Sequence, residues 1–290
     1  MPANQDDLIL TRFEEALTQA ALSASTIVNY LADLRAFLRW GKQNIAPEFS
    51  LLHTTAEHVR LYRHYLSQEL GRAAATVNRH LMALRKFFAF AQELNLTPFD
   101  PTAGVSLVQD NGQAGSRPLT EAETEQLLEA AQQGARAGLV RRDVAILQLL
   151  LHTGLRVSEI VSLEKDDLIF DNPGVHLQVC DDYDQTKMRQ LPLPSRVCQA
   201  LNQYLLVRPK TASTGQFFLS QGGRPVSKRT VQRIIRDCAK SAGLTGVSAQ
   251  SIRRTFALRL LSETQDLKLV SERLGHQTIN ITEQYLSVHE

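Results

Sequence analysis

Only three cysteines occur among the 290 residues, Cys180, Cys198 and Cys238, and none forms a CxxC pair. That spacing argues against a disulfide framework and against a zinc site, and it fits a reducing cytoplasm. No apolar run approaches the ~20 residues that a membrane-spanning helix needs. The start, MPANQDDLILTRF, has no basic patch ahead of an apolar stretch. Neither a membrane segment nor a signal peptide is expected. A phosphate-cradling GxxxxGK[ST] motif is missing, as is any convincing cluster of metal ligands, so no cofactor and no metal are expected. Excess charge is scarce too, the net being +2. Residues 1–112 hold ten Lys+Arg against eleven Asp+Glu, and residues 113–290 hold twenty-two against nineteen. Affinity for nucleic acid would have to come from local basic surfaces and not from bulk charge.

What is abundant is helical periodicity. Ser23–Lys42 places Ile27, Leu31, Leu34 and Leu38 on one face. Ala56–Leu70 is a second helix. Ala73–Leu96 is the clearest, with Val77, Leu81, Leu84, Phe88 and Ala91 recurring every three or four residues. Pro98 and Pro101 are expected to end it. The stretch 102–117, rich in Gly, Ser, Asn and Gln, reads as a linker. It separates a helical first domain, 1–101, from a second domain, 118–290. Thr120 and Glu123 form a capping-box pattern, and Arg142–His152 reads as a helix. Val175–Val179 alternates like a strand, with Met188–Leu193 as its partner and residues 181–187 as the turn. Helices are expected again at Arg196–Val207, Lys228–Ala242, Ala249–Ser262, Asp266–Leu274 and Asn280–Val288. The fold class is mainly α with one small antiparallel sheet in the second domain.

Four clusters of the second domain carry chemistry: Thr153-Gly-Leu-Arg-Val-Ser-Glu159, Gln250-Ser-Ile-Arg-Arg254, Leu274-Gly-His276, and Tyr285 nine residues later. In this order and spacing the chain resembles the tyrosine recombinases, the phage integrase family, of Xer-like or transposon and integron type. Thr26, Tyr30, Asp33-Leu34, Phe37, Trp40, Val77-Asn-Arg79 and Leu84-Arg85 resemble that family's helical core-binding domain. The resemblance covers nearly the whole chain. It implies a two-domain C-shaped clamp on duplex DNA and strand exchange through a 3′-phosphotyrosyl intermediate. It also implies tetramers on synapsed sites, accessory DNA-bending proteins or a second recombinase as further partners, and a cytoplasmic, nucleoid-associated location.

The chemistry can be argued beside the resemblance. In-line attack on a phosphodiester builds negative charge on the nonbridging oxygens. Arg156 and Arg253 suit those oxygens, because guanidiniums pair with them in a plane and stay charged. His276 can donate to the phosphate. Tyr285, a phenol with an ordinary pKa near ~10, needs a positive field or a base to become the nucleophile. Glu159, three residues after Arg156, is either a support for the site, as in the family, or a surface ion pair. Where the family usually has His or Lys, three residues before its second Arg, this chain has Gln250, which donates a hydrogen bond but carries no charge. The family's turn lysine, the general acid, would fall at Asp184. Lys187 is the lysine of that turn and the expected acid.

Arg224, Lys228, Arg229, Arg233 and Arg236, in and before one amphipathic helix, are the expected DNA contacts of the second domain. Arg72, Arg79 and Lys86 are those of the first. A solvated charged face explains either set as well. Five residues after Tyr285 are too few for the C-terminal helix that many relatives dock on a neighbour. Either the subunits interlock through another element or the chain was cut. Gln250 and Asp184 motivate an alternative, a DNA-binding or architectural protein with weak or lost cleavage. A helix-turn-helix repressor would explain the basic helices but not the spaced set.

Overall fold

The computed structural model describes residues 5–20, 22–109, 117–134, 137–171, 174–180, 188–209 and 214–287. The chain divides into two units, Met1–Ala114 and Gly115–Glu290. The first is a set of four helices, α1 (Gln5–Gln19), α2 (Ala24–Asn44), α3 (Ala56–His64) and α4 (Ala74–Glu93). α3 continues through a wider π turn, Tyr65–Glu69. Ser23 caps α2 by accepting from the Thr26 amide, as a short polar side chain at that position does. The apolar stripes of α2 and α4 face each other, and Leu34, Phe37, Val77, Phe88 and Ala91 are completely buried. Aromatic rings fill the space between helices: Phe37 meets Tyr62 at 4.9 Å and Phe13 meets Phe87 edge-on at 5.5 Å. Each such buried side chain contributes roughly 1.5–3 kcal/mol.

Two details depart from the sequence reading. α4 stops at Glu93, ahead of the prolines. Asn95 adopts the left-handed conformation (φ 54°), and its amide and that of Leu96 return to Gln92 and Ala91 carbonyls. Asn tolerates that conformation better than most residues. Residues 102–109, the start of the expected linker, are pinned to this unit. Asn78 pairs with both backbone groups of Val108, at 2.9 and 2.8 Å. Arg85 and Arg63 donate to the carbonyls of Val105 and Ser106.

The second unit is built around α6 (Ala137–Thr153), in which Ala145, Ile146, Leu147, Leu149, Leu150 and Leu151 are all buried. A helix apolar on every side has to be central. Packed on it are α5 (Glu121–Gln132), which starts with the Thr120–Glu123 capping box, α8 (Ser195–Leu205), α9 (Lys228–Ser241) and α10 (Ala249–Thr264). Short α7 (Val157–Ser162) follows α6, and α11 (Leu267–Leu274) and α12 (Ile279–Ser287) end the described chain.

The sheet has three antiparallel strands in the order β1 (Leu168–Asp171), β2 (Gly174–Cys180), β3 (Met188–Pro192). The sequence reading had only β2 and β3, because a four-residue strand is too short to show alternation. Leu177 pairs with Leu191 and Val179 with Arg189. Alternation therefore turns Arg189 to the same face as buried Leu191. The architecture is mainly α with one small antiparallel sheet. Among the described residues no helix is long and apolar enough to cross a membrane.

Candidate active site

Gly154 closes α6 with φ +63°, and a Cβ there would lie 2.4 Å from the Phe256 ring. Only glycine fits both demands. The chain then delivers Arg156 to the start of α7. α10 presents Gln250 and Arg253 from its first two turns. α11 ends at Gly275, again left-handed (φ +63°), so that His276 follows directly and α12 can bring back Tyr285. Arg156, Gln250, Arg253, Gly275, His276 and Tyr285 line one open cavity of about 460 Å³.

Three guanidiniums converge at the C-terminal end of α11. Arg189 Nε donates to the Arg273 carbonyl at 3.2 Å, Arg253 Nη2 to that of Leu274 at 2.5 Å, and Arg156 Nη2 to that of Gly275 at 2.8 Å. The last carbonyls of a helix lack intrahelical partners, and their end of the dipole is negative, so cations gather there. Arg253 also donates to the Gly154 carbonyl at 2.6 Å and is only 6% exposed. Its two contacts leave other N–H groups of its five for a ligand. Burial, with Arg156 next in weight, pushes the Arg253 pKa down to about 10, so it stays charged at neutral pH.

Glu159 is 2% exposed. Its carboxylate accepts from the Arg156 amide (2.6 Å), Arg156 Nη1 (3.1 Å) and Arg189 Nη2 (2.8 Å). The surface ion-pair reading of Glu159 is thereby overturned: it is a buried anchor for two arginines.

His276 Nδ1 lies 2.8 Å from Thr282 Oγ1. If the threonine hydroxyl donates, the neutral ring carries its proton on Nε2. Burial, then Arg253, Arg156 and Arg189, push the His276 pKa down to about 4, so the ring is neutral at pH 7. The Tyr285 ring meets His276 edge-on at 5.6 Å. The Tyr285 hydroxyl donates to the backbone carbonyl of Gln250 at 3.2 Å. Burial raises the Tyr285 pKa, and Arg253, Arg254 and Arg156 oppose that rise. Arg254, 5% exposed, grips the Tyr285 carbonyl through Nε (3.0 Å) and Nη2, and its guanidinium sits 5.2 Å from the ring centre.

A family model described as "Phage integrase family" matches residues 117–290. Another, "Phage integrase, N-terminal SAM-like domain", matches residues 10–93. The chain belongs to the phage integrase family, the tyrosine recombinases. It is 32% identical over 277 residues to a tyrosine recombinase XerC of Halalkalibacterium halodurans, covering 92% of this chain and 88% of that one. A tyrosine recombinase XerD of Listeria monocytogenes is 29% identical over 295 residues, 98% of this chain and 94% of that one. Among solved structures, the Tn1549 transposon integrase in complex with circular intermediate DNA shares the fold. Its TM-score is 0.74 at 19% identity, over 96% of this chain and 95% of that chain.

In this family member Lys187 and Asp184 lie outside the described residues. Lys228, Arg229, Arg233 and Arg236 stand exposed on α9, whose opposite face buries Val231, Ile234 and Ile235; Arg224 is exposed just before it. In the first unit Arg72 is exposed ahead of α4 and Lys86 is exposed on it. Arg79 is engaged with buried Asp33 at 3.0 Å, although 45% of its side chain stays accessible. Sequence reasoning gave no structural role to Arg189, Arg254 or Thr282. For Arg189 the signal was available: an arginine two residues before Leu191 shares that residue's inward face.

Proposed function

We propose that this chain is a site-specific recombinase that cuts and rejoins duplex DNA through a 3′-phosphotyrosyl link to Tyr285. The observation that carries the reading is the convergence of Arg156, Arg253, His276 and Tyr285 on one open cavity in a chain of this family. The names of its relatives, and the DNA in the transposon integrase complex, support duplex DNA as substrate. Attack by the Tyr285 hydroxyl oxygen forms a phosphorus–oxygen bond as the bond to the 5′ oxygen breaks. Arg156 and Arg253 neutralise the nonbridging oxygens, and His276 adds a neutral donor. The phenolic proton passes to water, and the departing 5′ oxygen takes one from Lys187. Gln250 contributes a hydrogen-bond donor. The phosphotyrosyl link conserves the bond energy, so rejoining needs no nucleotide and no metal. The helical domain 1–101 and the catalytic domain 118–290 both bind the duplex. Arg72, Arg79 and Lys86 contact it from one, and Arg224, Lys228, Arg229, Arg233 and Arg236 from the other. Four subunits synapse two sites in the cytoplasm, with DNA-bending proteins or a second recombinase as further partners.

The test uses nicked suicide duplexes tiled across the DNA that flanks the gene. A covalent adduct on a denaturing gel, mapped by mass spectrometry to the peptide holding Tyr285, is expected. Binding without any adduct would favour the architectural alternative. On the duplex that reacts, Lys187→Ala is expected to slow cleavage by about 100-fold or more. A 5′-bridging sulfur, which leaves without a proton, is expected to restore it. Wild-type speed of Lys187→Ala on the ordinary duplex would place the acid elsewhere.

A further inference from the structure

The recombinase reading assigns no work to Arg189, yet this β3 residue sits among the groups that do the chemistry. Its side chain is 13% exposed and makes two fixed contacts, Nη2 to Glu159 Oε1 at 2.8 Å and Nε to the Arg273 carbonyl at 3.2 Å. The remaining nitrogen, Nη1, is buried with no partner among the described residues. It packs on Gly275 so closely that a Cβ there would lie 2.7 Å from it. An arginine that carried only bulk or charge would not be expected this deep, because burying a guanidinium costs several kcal/mol unless its partners are exact in place.

We propose that Arg189 is a positioning residue of the catalytic centre, holding Glu159 and the end of α11 so that Arg156 meets the scissile phosphate. Glu159 Oε1 is shared by Arg156 Nη1 and Arg189 Nη2, so the carboxylate is held from two sides and cannot turn away from Arg156. Arg156 is also tied to the Gly275 carbonyl, two residues beyond the carbonyl that Arg189 holds. Arg189 therefore holds the carboxylate that Arg156 shares and the helix end beside the carbonyl that Arg156 grips. The proposal rests on the recombinase reading, since it assigns Arg189 to the support of that phosphate site. Lysine at 189 would keep the charge but could not bridge a carboxylate and a carbonyl with one planar fork.

Two measurements on the full chain test it. In hydrogen exchange without DNA, Arg189→Met is expected to speed the amides of 156–159 and 274–276 by more than those of α5 and α8, beyond any uniform rise from lost stability. Unchanged exchange there overturns the proposal, whether or not the chain cuts DNA. In single-turnover cleavage of the duplex that gives the wild-type adduct, Arg189→Met and Arg189→Lys are each expected to lose about tenfold or more with DNA binding kept. If the wild type forms no adduct on any duplex, the recombinase reading fails and the exchange result alone decides the placement. Combined with Arg156→Ala, Arg189→Met is expected to add little, because both remove one unit. A methylphosphonate at the scissile position, which removes an anionic oxygen, is expected to shrink both single defects together. Wild-type cleavage by Arg189→Lys, losses that multiply in the double variant, or a methylphosphonate that relieves only Arg156→Ala overturns the proposal.

Discussion

Each unit contains a buried cluster made of nearly the same groups. In the first, Arg79 lies 3.0 Å from Asp33, and His80 Nδ1 lies 3.4 Å from Asp33 and 3.2 Å from the Tyr62 hydroxyl. In the second, Glu159, His276 and Tyr285 stand with Arg156, Arg189 and Arg253. Burial pushes both histidines down to about 4 and both tyrosines up. An inventory of residue types would not separate the two. Charge balance and access do. In the first cluster the carboxylate meets one guanidinium, that of Arg79, whose other end reaches solvent, and Tyr62 is 2% exposed. The second gathers Arg156, Arg189 and Arg253, with Arg254 against the Tyr285 ring, around one carboxylate and opens into a cavity. Like charges held together in a protein cost free energy unless something else offsets them. The carbonyls at the end of α11 offset part of that cost, and a phosphate would offset more. A surplus of fixed positive charge beside an open space marks an anion site, whereas a tyrosine and a histidine shut in around one ion pair mark a piece of core.

The strongest way to break this comparison removes one oxygen from each cluster. Tyr285→Phe is expected to keep DNA binding and to abolish the covalent adduct, since no other hydroxyl replaces the nucleophile. Tyr62→Phe is expected to cost about 1 kcal/mol of stability, the net worth of one buried hydrogen bond, and to leave the adduct intact. Gel shift, denaturing gel and chemical denaturation on the two variants decide it. Adduct retained by Tyr285→Phe would move the nucleophile elsewhere. Adduct lost by Tyr62→Phe with the fold intact would give the first cluster a chemical role.

A smaller effect is expected when charge is kept and geometry changed. Arg156→Lys and Arg253→Lys should each lose about 100-fold in single-turnover cleavage. A lysine ammonium cannot pair in a plane with two phosphate oxygens. Both guanidiniums also use two separate arms on fixed partners, Glu159 and Gly275 for Arg156 and Gly154 and Leu274 for Arg253, which one ammonium cannot replace. Near-normal cleavage by either variant would show that this arginine does not grip the scissile phosphate.

Much of this was legible in the sequence, and the remainder has a physical reason. The stripes of α2 and α4 were plain because their apolar residues recur within a few positions. The end of α4 was misread, because the prolines are conspicuous and the left-handed Asn95 is not. α1 carries its own stripe, Ile9, Leu10, Phe13 and Leu17, but polar residues crowd its start. The four clusters were read from their order along the chain, and each of them contributes side chains to the lining of one cavity. Glu159 was read as a possible support, but Arg189 and Arg254 were not found, because their contacts join distant positions. Arg189 reaches across 84 residues to Arg273, and Arg254 across 31 to Tyr285. Periodicity reports which face is buried; it does not report what waits on the other side.

The finest test of the comparison is proton uptake by the two histidines. His80 and His276 both have folded pKa values near 4, below the usual 6.5. A histidine lowered by folding binds fewer protons in the folded state than in the unfolded one between those values. The stability that this neutrality supports is therefore fully present above pH 6.5. It is lost as pH falls from 6.5 toward 4. Without DNA the two rings should behave alike. Binding duplex DNA should separate them. A phosphate among Arg156, Arg253 and His276 brings negative charge directly against that ring and favours its charged form, whereas DNA at Arg72 and Arg79 meets their exposed ends, farther from His80. The His276 pKa should rise toward 6.5 on binding, with proton uptake between pH 4 and 6.5, while His80, among Asp33, Arg79, Arg72 and Tyr62, should change much less. NMR titration of the imidazole Cε1 protons reads this, with His80→Gln and His276→Gln supplying the assignments. A His276 titration that ignores DNA would mean that no phosphate enters the cluster, and the charge argument that separates the two clusters would fall with it.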